Sequence, residues 1–166
     1  MIIAEQTREQ LNELLKYSFD ANAVVDNYAY NIAFYRYPNM EEIVHKHFAH
    51  KFPEFADIFS DMMIRLDARP VRKGLKDHDE DFNGDLYRIF EGLLALCNDY
   101  RQSIINTITI AELNEDYEVK IRLEEFLTQF EPYRKQADVW FEYAKRYKDD
   151  YKSFDVHFED ITTFIA

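Results

Sequence analysis

Glycine and proline are scarce in this sequence, with three glycines and four prolines among 166 residues. That scarcity argues against a turn-rich β fold and favours long uninterrupted helices. Hydrophobic residues make up 47% of the chain and aromatic residues 16%, well above what disordered chains carry. A chain of this length can bury a sizeable core within one domain. We therefore predict a single all-α domain over residues 1–166.

Cysteine is limited to Cys97, so no intrachain disulfide can form. This usage is typical of a reducing compartment, and the leucines around Cys97 predict a buried structural thiol. The first residues lack the charged and apolar regions of a signal peptide. No apolar run approaches the roughly 20 residues that span a bilayer. Together these absences predict a soluble, cytoplasmic protein with no membrane partner.

Positive charge is also in short supply, with 20 Lys and Arg against 32 Asp and Glu and a formal net charge of −12. Such a chain repels nucleic acid unless basic residues are concentrated locally. The first ten residues contain only Arg8, and the basic residues between Arg65 and Lys76 form a modest cluster. The composition argues against a nucleic-acid partner. The acidic surface could attract cations, although solvation is its commoner role.

Apolar residues recur at spacings of three and four along four stretches, which is the pattern of amphipathic helices. The predicted helices run from about 7 to 34, 39 to 66, 82 to 113 and 117 to 147, followed by an amphipathic tail. Pro53 predicts a kink or break between Ala49 and Pro53, and Pro132 predicts an interruption of the fourth helix. Trp140 and Phe126 are expected in the core.

The connections between the predicted helices indicate how the helices are arranged. The short turn at residues 114–116 requires the third and fourth helices to be antiparallel. Residues 67–80 form the only long connector, between the second and third helices. Two helices, a long connector and two further helices form the pattern of a ferritin-like antiparallel four-helix bundle.

The sequence is similar to the ferritin-like superfamily, most nearly to the Dps (DNA protection during starvation) family. The stretch from Asn98–Arg101 through Leu123–Phe126 to Trp140 resembles the third helix, turn and fourth helix of that family. Arg65–Val71 resembles the end of its second helix, and the resemblance covers about residues 11–145. It implies iron storage or stress protection by a hollow homo-oligomer, a dodecamer, that oxidises ferrous iron and stores the mineral.

The resemblance also implies where a ferroxidase site would lie. The family builds it between two subunits, from a first-helix His and from His-x-x-x-Asp and Asp-x-x-x-Glu on the second helix. His45 resembles the second-helix His, but Ala49 stands at the Asp position. Asp61 resembles the later Asp, and Arg65 stands at the Glu position. The first helix has no His, so most of the family's ligands are missing. An intrabundle di-iron site is excluded, because Glu42–His45 is a single Glu-x-x-His without a mate.

A second set of potential metal ligands follows from spacing alone. These residues recur at intervals of three and four on the predicted second helix and share one face: His47, His50, Glu54, Asp57 and Asp61. Imidazole and carboxylate groups bind iron, zinc or manganese, and two such faces could meet at a twofold interface. His45 lies nearer the apolar face and is an outside candidate. The alternatives are a solvated helix face and, for His45, a packed and hydrogen-bonded histidine.

Two functions are therefore open. The first is an iron-binding protein of the ferritin-like type, whose second-helix acid and imidazole side chains must converge with those of a partner subunit. The second is a non-catalytic bundle that serves assembly or binds a protein partner, which requires no such convergence.

Overall fold

The computed structural model describes residues 1–164, and over this range it is helical with no strand. The helices are α1 (Glu5–Phe34), α2 (Pro38–Glu42), a π-helical segment (Ile43–Ala49, the π segment), α3 (Lys51–Arg65), α4 (Leu86–Leu113), α5 (Tyr117–Arg146) and α6 (Tyr151–His157). The prediction of an all-α fold is confirmed. None of the described helices is both long and apolar enough to cross a membrane.

The contacts at the two ends of the bundle fix the direction of each long helix. At one end, the start of the chain meets the end of α3, where Ile2 N donates to Leu66 O at 3.0 Å. At the same end, Thr7 on α1 donates to Asp116 in the turn between α4 and α5. At the other end, Phe82 N donates to Asn31 Oδ1 near the end of α1. Thus α1 and α5 run one way, and α3 and α4 run the other way.

The connector between α3 and α4 spans the length of the bundle because both helices run in the same direction. It is held along α1 by side chains of that helix: Val71 N donates to Asn12 Oδ1 at 2.8 Å, and His78 Nε2 lies 2.7 Å from Asp20 Oδ1. The connector continues to Asp85, past the predicted end at residue 80. Positive φ angles at Asn83 and Gly84 delay the start of α4.

The core is a continuous cluster of aromatic side chains between α3, α4 and α5. Phe52 packs edge-on against Tyr100, with ring centroids 5.3 Å apart. Trp140 is fully buried and Phe126 is 2% exposed, as predicted. Cys97 is buried as predicted, and this burial raises the pKa of its thiol. The tail also packs as predicted, because Phe158 stacks on Trp140 at 4.8 Å.

The two internal prolines have different effects on their helices. The π segment ends at Ala49, four residues before Pro53, and α3 begins at Lys51. Pro53 therefore lies in the first turn of α3, where its missing N–H has no intrahelical partner to lose. This confirms the predicted break. The predicted interruption at Pro132 is wrong, because α5 continues through it. Thr128, whose carbonyl loses its partner there, is exposed, so water can replace the donor.

Candidate metal centre

His45 and His50 are brought together by the π segment. Residues five apart on an α-helix point about 140° away from each other, since each turn takes 3.6 residues. In a π-helix, however, hydrogen bonds join residues five apart. His50 N donates to His45 O at 3.2 Å, and the two imidazole centroids lie 4.6 Å apart. The change of helix type therefore creates a pair of imidazoles that an uninterrupted α-helix would separate.

Asp26 supplies a carboxylate to this pair from α1, which packs against the π segment. Its Oδ1 lies 3.5 Å from His45 Nε2. One potential ligand atom from each of Asp26, His45 and His50 lies within 4.8 Å of the others. Within residues 1–164 this is the one group of three or more His, Cys, Asp or Glu residues arranged to hold a metal ion. We call these three residues the triad.

The carboxylate of Asp26 is poorly satisfied by its surroundings. Its Oδ1 is buried and has no hydrogen-bond partner among the described residues. Burial raises the pKa of Asp26, and the nearby imidazoles of His45 and His50 act in the opposite direction. A buried carboxylate normally requires hydrogen bonds, a cationic partner or a metal ion. A bound cation would meet this need.

The triad remains open to solvent on one side. The side chains of His45 and Asp26 are 30% and 23% exposed, and His50 is exposed. An ion could therefore reach all three residues without any movement of the helices. Tyr30 borders the site, with its ring 5.7 Å from the His45 imidazole. The donors fit iron, because two His and one carboxylate with open positions form a recurring Fe(II) site. Zinc and manganese also bind such groups.

Of the second-helix residues that spacing identified, the structure brings together only His45 and His50. The π segment contains more residues per turn than an α-helix, so the predicted common face is broken there. His47 instead lies near Glu159, in a surface cavity of about 300 Å³ on the side of α6 and the tail. His47 is therefore not part of the triad.

The three predicted acidic ligands on α3 lie outside the triad. Glu54 forms an ion pair with Lys51 at 3.2 Å. Asp57 and Asp61 are exposed, and Asp61 lines a cavity of about 330 Å³ together with Arg65. None of them converges with His50 within one chain.

Asp26 did not stand out in the sequence, because the potential ligands that recur at regular spacing all lie on the second helix. One signal could have indicated it: Asp26 directly follows Val25 on the apolar stripe of the first helix. A carboxylate beside a buried stripe lies close enough to the core to need a partner. Its meeting with the imidazoles also depends on the π register, which spacing rules for α-helices do not include.

Two basic side chains of the connector contact groups on α1. Lys73 pairs with Glu13, and the guanidinium of Arg72 lies 3.8 Å from the ring centroid of Phe19. A groove of about 450 Å³ between α1, the connector and α4 is lined by charges of both signs, including Lys16 and Asp20. Neither feature concentrates positive charge in the way that nucleic-acid binding requires.

The fold and the triad together define a helical bundle with a candidate transition-metal site between its first helix and the π segment. No protein-family model matches the chain, and a search of curated proteins finds no match either.

Proposed function

We propose that the protein binds one divalent transition-metal ion per chain through the triad, and that it handles iron as a Dps-like member of the ferritin-like proteins. The observation that supports this function is the convergence of two imidazoles on a buried carboxylate oxygen with no hydrogen-bond partner among residues 1–164. A buried carboxylate oxygen beside two imidazoles offers the donors that a divalent transition-metal ion prefers.

The connectivity of the bundle supports the ferritin-like part of the proposal. Ferritin-like folds have one long crossover connection among four helices. Here the connector between α3 and α4 joins two helices that run in the same direction, while α1 with α3 and α4 with α5 form antiparallel pairs. This arrangement also agrees with the resemblance of residues 11–145 to the Dps family.

The ligand set favours binding of a single ion over a di-iron oxidation centre. The triad has one carboxylate, whereas di-iron bundles use several to bridge the metals. Ala49 is fully buried, and no side chain there can supply the acid of the family's ferroxidase motif. We therefore propose iron binding as the main role and expect oxidation of ferrous iron to be slow.

Assembly into a hollow homo-oligomer is the second part of this proposal. Apolar side chains are exposed on α1, which carries Asp26, and on α3, which follows His50: Phe34 on α1 is 76% exposed, and Ile64 on α3 is 62% exposed. Exposed apolar groups of this size are expected at surfaces that meet other subunits. A symmetry mate could then add an acidic ligand such as Asp61 to the metal site.

Anaerobic titration with Fe²⁺, followed by calorimetry, tests the proposal. The wild-type protein should bind one ion per chain, and a D26A/H50A variant should lose at least about 100-fold in affinity, since two direct ligands are removed. A D57A/H47A variant is the matched control, because it removes the same residue types from exposed positions outside the triad. Absence of binding in the wild type, or equal losses in both variants, overturns the proposal.

Sedimentation velocity on the same samples tests the assembly. A species well above dimer size supports the cage, whereas a clean monomer at micromolar concentration removes it.

The second candidate function is a non-catalytic bundle, favoured by Ala49 and Arg65 at two of the family's acidic ligand positions. Failure of the wild type to bind Fe²⁺, Zn²⁺ or Mn²⁺, together with absence of iron oxidation by absorbance, would support that function.

A further inference from the structure

Asn22 carries an unsatisfied oxygen close in sequence to that of Asp26. Among residues 1–164, two buried side-chain polar atoms lack a hydrogen-bond partner, Asp26 Oδ1 and Asn22 Oδ1. Buried polar atoms without a partner are rare in folded proteins, and each needs an explanation such as an ion. That both atoms lie on the same helix, four residues apart, indicates a shared cause.

The geometry of α1 places Asn22 beside the triad. Residues four apart on an α-helix lie on the same face, with their Cβ atoms roughly 6 Å apart. Because α1 is antiparallel to the second long helix, the step from Asp26 back to Asn22 runs in the same direction as the step from His45 to His50. Asn22 therefore lies on the His50 side of the carboxylate.

The chemistry of an amide oxygen suits a ligand in this position. It is a neutral, hard donor of the kind that accompanies carboxylates around Mn²⁺ and other divalent cations. The triad alone offers three donors, one fewer than the four that protein sites commonly give to zinc. An oxygen from Asn22 would complete a set of two nitrogens and two oxygens.

Building on the proposed function, we propose that Asn22 Oδ1 is the fourth ligand of the ion held by Asp26, His45 and His50. The completed site selects first-row divalent cations that accept mixed nitrogen and oxygen donors, such as Fe²⁺, Co²⁺, Mn²⁺ and Zn²⁺. It contains no sulfur donor and therefore discriminates against soft cations such as Cu⁺.

Titration with Co²⁺ tests this role, because the visible absorption of bound Co²⁺ reports its ligands and coordination number. N22L replaces the amide with an apolar group of similar size, so it removes the donor and leaves the packing nearly unchanged. We expect N22L to bind Co²⁺ at least about tenfold more weakly than the wild type and with an altered absorption spectrum. Loss of a group that supports a metal site typically lowers metal affinity by such an amount. N22D should bind more tightly than the wild type, because it adds a negative charge.

The control is N27A, since Asn27 lies on the same helix and its amide instead donates to Glu80 O in the connector. N27A should keep the wild-type spectrum and affinity. If N22L keeps the wild-type affinity and spectrum, or binds more weakly with an unchanged spectrum, then Asn22 is not a ligand. Either result leaves the rest of the metal site intact. If the wild type itself binds no Co²⁺, both this inference and the metal site on which it rests fail. Thermal unfolding of N22L without metal excludes loss of folding as the cause, because removal of an unsatisfied amide should not destabilise the bundle.

Discussion

The second long helical region and α5 each contain an internal proline, and they respond to it differently. Pro132 lies inside α5, which continues, whereas Pro53 follows a π segment after which the α-helix restarts. The two prolines lie at different places in their helices. Pro132 is in the interior of α5, where the carbonyl of Thr128 loses its donor, but Thr128 is exposed and water can replace that donor. Pro53 is in the first turn of α3, where no intrahelical hydrogen bond is lost. A helix can therefore continue through a proline whose lost hydrogen bond faces solvent, whereas the other proline is accommodated at a new helix start.

The core aromatics and the triad lie largely on different elements of the bundle. α4 and α5 supply five buried aromatic side chains, Phe90, Tyr100, Phe126, Phe130 and Trp140, and contribute no residue to the triad. α1, the π segment and the adjoining His50 carry the three potential ligands and, within residues 1–164, both unsatisfied side-chain oxygens. Stability and metal binding should therefore respond to different substitutions.

The largest expected effect is on stability. Truncation of Trp140, which is fully buried, or of Phe126 to Ala should lower the free energy of unfolding by about 3–5 kcal/mol, through lost burial and cavity formation. Chemical denaturation measures the loss. The metal affinity of the folded fraction should stay at its wild-type value, in contrast to the D26A/H50A variant. Near-neutral stability in both truncations would mean that α5 does not pack as described.

Replacement of the two prolines should change stability in opposite directions. P132A restores an N–H in a helix interior and should raise the free energy of unfolding by about 2–3 kcal/mol. P53A restores an N–H in the first turn of α3, where no intrahelical carbonyl accepts it. It should cost about 0.4–1 kcal/mol, because the unfolded chain gains freedom. Each variant is the control for the other in thermal unfolding, and a shift of the same sign in both would contradict the comparison.

The smallest effect concerns Asp26 and pH. Burial raises the folded-state pKa of Asp26 above its ordinary value of 3.8, so the metal-free protein loses stability as pH rises through that folded-state pKa. D26N cannot ionise and should not show this loss. Above the transition it should be more stable than metal-free wild type by about 1 kcal/mol. Unfolding midpoints measured from pH 4 to pH 7 check the difference, roughly the window above the ordinary Asp value. With excess Fe²⁺ the wild type should become more stable than D26N, since bound Fe²⁺ stabilises only the wild type. If the unfolding midpoints of wild type and D26N change in parallel with pH, the raised pKa of Asp26 is contradicted.

Periodicity predicted the long helices because their apolar stripes are unambiguous. Leu11, Phe59 and Trp140 all lie where three-and-four spacing places them. The site was only partly predictable. His45 and His50 were candidates, but their pairing depends on the π register of Ile43–Ala49, which α-helical spacing does not predict. Asp26 belongs to a different helix, and no spacing rule links helices separated by a turn. The exposed acids of α3 and the carboxylate of Asp26 look alike in sequence. Spacing therefore could not show which of them the fold brings beside the imidazoles.

Phe48 connects the triad to the core, because the π segment that carries His45 and ends beside His50 also turns this ring inward. Its centroid lies 5.5 Å from the indole of Trp140. Trp140 is the single tryptophan of the chain. The intrinsic fluorescence of the protein therefore comes from one indole packed against the segment whose register defines the triad. Any rotation of that segment changes the surroundings of the only strong fluorophore, so the molecule contains its own optical reporter of the site.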